Sequence, residues 1–225
     1  GIDVDLLVGT NVDEHRLFLV TGEVIDQITD EALAGAVEGY GLPVEETIDA
    51  YRDLYPGSSA GDLLAAIQTD WFWRIPAVRL ADAHAKRSPK TYMYEFAWDS
   101  PQFDGRLGAC HALEIPFVFD TLGNQTEALW GTDPPQTLAD TMHASWVDFA
   151  TRGECDWPTY DFDRKATMHF DSISEVVYDP LSEERALCDG VQSETDNVVS
   201  RLLFPMSSRL DSGRGSARQF STRQR

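Results

Sequence analysis

The chain has 225 residues, 42% hydrophobic and 11% aromatic, which allows a sizeable buried core in one domain or two small ones and sets it apart from disordered sequences. Its formal net charge is −20; six of the 18 Lys and Arg but only one of the 38 Asp and Glu lie from Arg201 onward, so residues 1–200 hold 12 bases against 37 acids, a net of −25. An acidic body of that kind argues against nucleic acid and anionic membrane as partners, and no segment approaches the roughly 18 to 20 apolar residues of a membrane span.

The acidity reads as a solvated surface, with a field that attracts cationic substrates as the alternative. Cys110, Cys155 and Cys188 lack CxxC spacing, so neither a metal motif nor a dense disulfide framework is indicated. A single Cys155–Cys188 disulfide is an open pairing if the protein is secreted. The first residue is Gly1, not Met, and the sequence does not decide whether a signal peptide precedes it.

In chain order, Asp3 to Thr10 reads as a short hydrophobic strand ending in Gly-Thr-Asn, with Asp13-Glu14 just beyond its C-terminal end. The apolar run His15 to Val20 is expected to dock beside the sheet. Thr29-Asp30 caps a helix carrying Leu33, Val37 and Tyr40, and Pro43 opens another through Ile48, Tyr51 and Leu54. Helix continues from Asp62 to about Lys86, with a kink or restart expected at Ile75-Pro76. Trp71, Phe72 and Trp73 are consecutive and so cannot all face one core; packing is the favoured reading, with a substrate-lining role as the alternative.

Thr91 to Trp98 reads as a buried strand bounded by Pro89 and by Asp99-Ser100-Pro101. A loop follows in which Gly105, Gly108, Ala109 and Cys110 let the backbone turn sharply before His111, and an apolar block from Ile115 to Phe119 comes next. A histidine on such a loop can face a cleft and move protons near neutral pH. Thr137 to Arg152 has Leu138, Met142, Trp146 and Phe149 at helical spacing and stops at Gly153. His143 beside that stripe reads as structural. Met168 to Phe170 and Glu175 to Tyr178 read as two short edge strands, the first containing His169 without an evident partner. From about Met206 the chain is Ser, Arg, Gly and Gln, and 206–225 is expected to be a disordered tail.

The segments GTNVDEHRLFL and GACHALEIPFVFD resemble the acid and histidine segments of the type-B carboxylesterase and cholinesterase family. The helical stretch YPGSSAGDLLAAIQTDWFWRIPAVRLADAHAK and the late helix LADTMHASWVDFATRGECDWPTYD are similar to family segments that occur in the same order. The resemblance runs from about Gly1 to about Leu187. It implies an α/β fold, the C-terminal part of an α/β-hydrolase three-layer sandwich over 1–200, with an incomplete sheet and a helical insertion. It further implies Glu14 as triad acid, His111 as general base and Glu114 as a residue ordering the histidine loop, with a solvent-facing helix residue as the alternative for Glu114, no metal or cofactor, and a small-molecule carboxylic ester as substrate. His15 departs from the pattern, which usually has glycine there.

In this family the nucleophilic serine sits on a Gly-x-Ser-x-Gly elbow that precedes both acid and histidine. The sequence begins about a dozen residues before Glu14, so the elbow and the oxyanion donors are expected in a complementary N-terminal portion. The string Gly57-Ser58-Ser59-Ala60-Gly61 has the letters of the elbow but follows no strand and lies after the acid. Ser59 to Asp62 instead fits a capping box ahead of Leu63, Leu64 and Ile67. The two strands are expected to leave an unpaired edge, with apolar surface exposed around Trp71, Trp73, Trp146 and Phe117. The competing function classes are a non-catalytic interaction module, as in relatives that lost the triad and serve in adhesion, and an inactive truncated product.

Overall fold

The computed structural model describes residues 4–123 and 127–191. Four strands form one sheet in the order β1 (Leu6–Asn11), β2 (Thr91–Phe96), β3 (Ala166–Phe170), β4 (Glu175–Tyr178). The first three run parallel, in registers that set Val8 against Met93 and Glu95 against His169, and β4 returns antiparallel on β3. The hairpin between β3 and β4 turns at residues 171–174, between the two short strands that the sequence indicated.

Helices cover both faces, as a parallel sheet requires. On one face α5 (Ile75–Ala85) lays Ala77, Val78 and Ala81 against Met93 and Val8. On the other, α6 (Ile115–Val118) and, beyond the short α7 (Glu127–Trp130), α8 (Gln136–Arg152) pack Phe117, Leu138, Ala139 and Met142 against Tyr92, Phe96 and Phe170. The chain is therefore a three-layer α/β arrangement with a mixed sheet. The helix α8 ends at Gly153 in the left-handed conformation, φ +67°. His143 on this helix turns Nδ1 to the Val118 carbonyl, 2.9 Å, and so joins α8 to α6.

Between β1 and β2 lies the helical insertion. The short α1 (Arg16–Thr21) follows the loop after the strand, then come α2 (Asp30–Gly39), α3 (Val44–Leu54) and α4 (Ala60–Thr69). The Thr29 hydroxyl accepts from the Ala32 N–H to cap α2, and Pro43 stands immediately before α3. This insertion has its own core of Leu33, Val37, Ile48, Tyr51, Leu63, Ile67 and Trp71.

At α4 both halves of a capping box form. The Ser59 hydroxyl accepts from the Asp62 N–H at 3.1 Å, and the Asp62 carboxylate accepts from the Ser59 N–H at 3.2 Å and its hydroxyl at 2.6 Å. Gly61 is required for packing: a Cβ there would lie 1.9 Å from the Ile25 carbonyl oxygen. The glycine–serine string is thus a helix start pressed against the preceding segment.

Helices α4 and α5 are joined by one π-helical turn, Asp70–Arg74, ahead of Pro76. Proline cannot supply an interior N–H, and a widened turn absorbs the mismatch without breaking the rod. Around this turn Trp71 and Arg74 point inward while Phe72 is exposed and Trp73 half-buried. Arg74 Nε donates to Asp70 Oδ1 at 2.6 Å, and the Tyr51 hydroxyl donates to Asp70 Oδ2. Burial and the Asp70 charge push the Tyr51 phenol far above its ordinary range, so it stays a donor.

Three expectations are corrected. Cys155 and Cys188 are free thiols packed in different cores, the sheet core and the insertion core, so they do not pair. Trp71 and Phe117 are buried and Trp73 and Trp146 half-buried; among the described residues the exposed aromatics are Phe18, Phe72, Phe103, Phe119, Phe162 and Tyr178. Of the two strands expected to be open, β2 is paired on both sides and β1 alone keeps a free edge among the described residues; the sheet's other outer edge belongs to β4. The Arg/Ser-rich tail at 206–225, and Asp3 at the start of the first strand, lie outside the described residues. Among those described, no helix is long and apolar enough to cross a membrane.

The Asp70 network generates a stability prediction. Tyr51→Phe removes one charge-assisted bond to a buried carboxylate and is expected to cost ~1–3 kcal/mol in urea unfolding with an unchanged m-value. A loss under ~0.5 kcal/mol would mean that Arg74 alone satisfies Asp70.

Candidate active site

Two loops leave the C-terminal ends of neighbouring parallel strands. The first follows β1 and runs Val12-Asp13-Glu14; the second follows β2 and reaches His111 after an isolated bridge between Ser100 and Gly108. Backbone bonds lace them: the Asp13 N–H donates to the Ala109 carbonyl at 3.0 Å, and the His111 N–H donates to the Glu14 carbonyl at 3.2 Å. A third bond runs from the Ala109 N–H to Asp13 Oδ2 at 3.2 Å.

Gly108 makes this approach feasible, since its φ is +57° and a Cβ there would lie 2.3 Å from Asp13 Oδ2. Just past the histidine, Ala112 also takes a left-handed conformation, φ +64°, which folds the loop back toward α6.

Within this frame His111 Nδ1 lies 2.7 Å from Glu14 Oε2. The Glu14 side chain is 7% exposed and the His111 side chain 42%, so the carboxylate is sealed beneath an imidazole that faces outward. The second carboxylate oxygen, Oε1, accepts from the Asn11 N–H at 2.9 Å. Both oxygens of the buried acid are therefore occupied, and Nδ1 carries the proton shared with it, leaving Nε2 as the free base nitrogen.

Burial raises the pKa of Glu14, and the Asn11 N–H and the His111 imidazole work against that rise. Burial likewise raises the Asp13 carboxyl, with Arg16 and the Ala109 N–H opposing it. The Cys110 thiol is pushed up to about 12 by burial, so it is no thiolate nucleophile at neutral pH.

The structure brings Glu14, His111 and Glu114 into one cluster through Asn11, a residue that sequence reasoning passed over. Its side-chain amide donates to the Cys110 carbonyl at 2.7 Å and to Glu114 Oε2 at 2.6 Å. The only sequence signal was an amide residue at the end of a strand three positions before the acid. Aromatic rings flank His111: Phe18 at 5.5 Å and Trp73 at 5.8 Å between ring centroids, themselves stacked at 6.1 Å. Ser59 is not part of this cluster, its hydroxyl being committed to Asp62.

His169 has a partner after all: its Nδ1 lies 2.9 Å from Glu95 Oε2 on the adjoining strand, which holds the imidazole above its ordinary pKa. Among the described residues no group of three or more His, Cys, Asp or Glu could hold a metal ion.

A mixed sheet with parallel strands, helices on both faces and an acid and a histidine on loops at the strand ends defines a three-layer α/β scaffold of the kind that α/β-hydrolases use. The carboxylesterase family model matches residues 2–186. The chain is 35% identical over 191 residues to the para-nitrobenzyl esterase of Bacillus subtilis (strain 168), an alignment covering 81% of this chain and 37% of that protein. It is 30% identical over 173 residues to the fumonisin B1 esterase of Sphingopyxis macrogoltabida, covering 70% and 31%. The crystal structure of the Geobacillus stearothermophilus carboxylesterase EST55 superposes with a TM-score of 0.69 at 31% identity, over 81% of this chain and 40% of that one. The chain belongs to the carboxylesterase family. It spans less than half the length of these relatives.

The raised Glu14 pKa has a definite sign in stability. A carboxyl that holds its proton more tightly folded than unfolded makes stability fall as pH rises from the unfolded value, about 4.3, through the folded one, and level off beyond. The difference in Tm between the chain and Glu14→Gln, followed by thermal melts across that window, is expected to move in favour of Glu14→Gln as pH rises. A difference that moves the other way would mean that the Asn11 and His111 contacts outweigh desolvation.

Proposed function

We propose that this chain carries the acid and the base of a serine carboxylic ester hydrolase. The observation that supports this reading is the 2.7 Å contact between a sealed Glu14 carboxylate and Nδ1 of an outward-facing His111. In that arrangement Glu14 fixes the imidazole tautomer, so that Nε2 accepts the proton of an attacking serine hydroxyl and then returns it to the leaving alcohol. Glu14 also stabilises the imidazolium that forms between the two transfers, without itself taking the proton. Glu114, tied to Asn11, holds the histidine loop to the end of β1.

The serine and the backbone donors for the oxyanion are assigned to a complementary N-terminal portion of the same fold. The open edge of β1 is where such a portion would add its strands. The substrate class is a small-molecule carboxylic ester. Glu14–His111 geometry and membership of the carboxylesterase family both favour this over a non-catalytic interaction module, which has no need of a buried carboxylate under an exposed imidazole.

The test is reconstitution. Co-expression with an N-terminal portion bearing a nucleophile elbow is expected to give turnover of a short-chain p-nitrophenyl ester that falls by ~10²–10⁴ in His111→Ala and is unchanged in Ser59→Ala. The 225-residue chain alone is expected not to exceed its own His111→Ala variant. Turnover by the chain alone that vanishes in Ser59→Ala would overturn the assignment of the nucleophile. Full turnover in the reconstituted His111→Ala protein would overturn the assignment of the base.

A further inference from the structure

His15 stands where the family usually has glycine, directly after Glu14, and its surroundings are unlike those of a surface histidine. Its ring lies 5.1 Å from Trp73, 5.3 Å from Phe18 and 5.9 Å from Phe72, the last in a stacked arrangement. Phe18 and Trp73 are the two rings that flank His111. The backbone N–H of His15 donates to Thr69 Oγ1 at 3.0 Å, which fixes its position against the end of α4. Desolvation first, and the nearby His111 second, lower its pKa to about 4, so the imidazole is uncharged at neutral pH.

A neutral imidazole carries one N–H, and the structure decides where. Nδ1 of His15 is buried and has no hydrogen-bond partner among the described residues. A buried N–H left unpaired is more costly than a buried lone pair, so the proton belongs on Nε2, on the open side of a ring that is only half-buried. His15 thereby presents a donor beside His111, framed by three aromatic faces, two of them on exposed phenylalanines.

We propose that His15 is a specificity-determining residue, its Nε2–H and the Phe18, Phe72 and Trp73 rings forming a subsite for a flat aromatic group that bears a hydrogen-bond acceptor. This rests on the ester-hydrolase reading for its place in catalysis, and names the substrates favoured there: esters whose acyl or alcohol part is a planar ring with a carbonyl-type acceptor. The rings supply stacking area that any planar group can use. The donor supplies discrimination, because a ring of the same shape lacking an acceptor leaves Nε2–H unpaired when it displaces water.

The test is equilibrium binding to the 225-residue chain, which needs no nucleophile. Three probes are titrated, 4-acetylbenzyl alcohol, 4-isopropylbenzyl alcohol and cyclohexylmethanol, by tryptophan fluorescence and by the imidazole ¹⁵N resonances. The acetyl probe is expected to bind ~3- to 10-fold more tightly than its isopropyl isostere, and to shift the His15 Nε2 resonance. In His15→Phe that difference is expected to disappear while both aromatic probes still outbind cyclohexylmethanol. In His111→Ala it is expected to persist, so the subsite stands or falls separately from the assignment of the base. Equal binding of the two aromatic probes by the unmodified chain, no binding of either, or a preference that survives in His15→Phe would each overturn the proposal.

Discussion

The arrangement of this chain depends on the lacing of two loops that are almost a hundred residues apart in sequence. A carboxylate and an imidazole meet at 2.7 Å only if their backbones are held to within a few tenths of an ångström. Side-chain attraction does not do this, since two half-free loops would trade the contact against their own entropy. Here the β1–β2 pairing is continued past the strand ends by the Val12 N–H to the Phe96 carbonyl, then Asp13 to Ala109, then His111 to Glu14, so that the sheet's register is carried into the site. Asn11 closes the same seam from within the strand, reaching Cys110 and Glu114 at once.

The helical insertion serves this seam from the side. Its core is separate from the sheet core, which lets α2, α3 and α4 settle on their own packing. What it delivers is the π-helical turn at Asp70–Arg74. The widened turn, pinned inward by Asp70, Arg74 and Tyr51, places Trp73 over His111 and stacks Phe72 on His15. A buried ion pair is weak evidence for stability; at this position it fixes which aromatic ring meets the site.

How far the sequence foretold this follows from which forces were local. The capping box at Ser59, the cap at Thr29 and the stop at Gly153 are short-range hydrogen-bond or backbone effects, and each lies where the residue types put it. The α8 stripe is equally local, set by a 3.6-residue period. The pairing of His169 with Glu95 was invisible because it depends on the register between β2 and β3, which no residue near His169 encodes. Asn11 was missed for the same reason: an asparagine at a strand end looks like a turn former until the facing loop is known. The consecutive aromatics at 71–73 were ambiguous because three neighbours on a helical turn point in three directions, and no residue near them says which one meets the histidine loop. The nearness of Glu14 to His111 came from resemblance to a family, and chain spacing alone carried no information about it.

Asn11 also resolves a tension in the acid itself. A carboxylate sealed from water tends to take a proton, and burial does push Glu14 in that direction. In the proposed role of His111 as general base, a protonated Glu14 would be a poor partner, because it would offer a donor where Nδ1–H needs an acceptor. The Asn11 N–H on Oε1 favours the ionised form by a charge-assisted bond, and it does so without adding a charge that would compete with His111. A lysine or arginine in its place would hold the acid ionised more strongly but would also repel the imidazolium. A backbone amide at the end of a strand avoids both faults, and its position is set by the same sheet register that brings the histidine loop alongside.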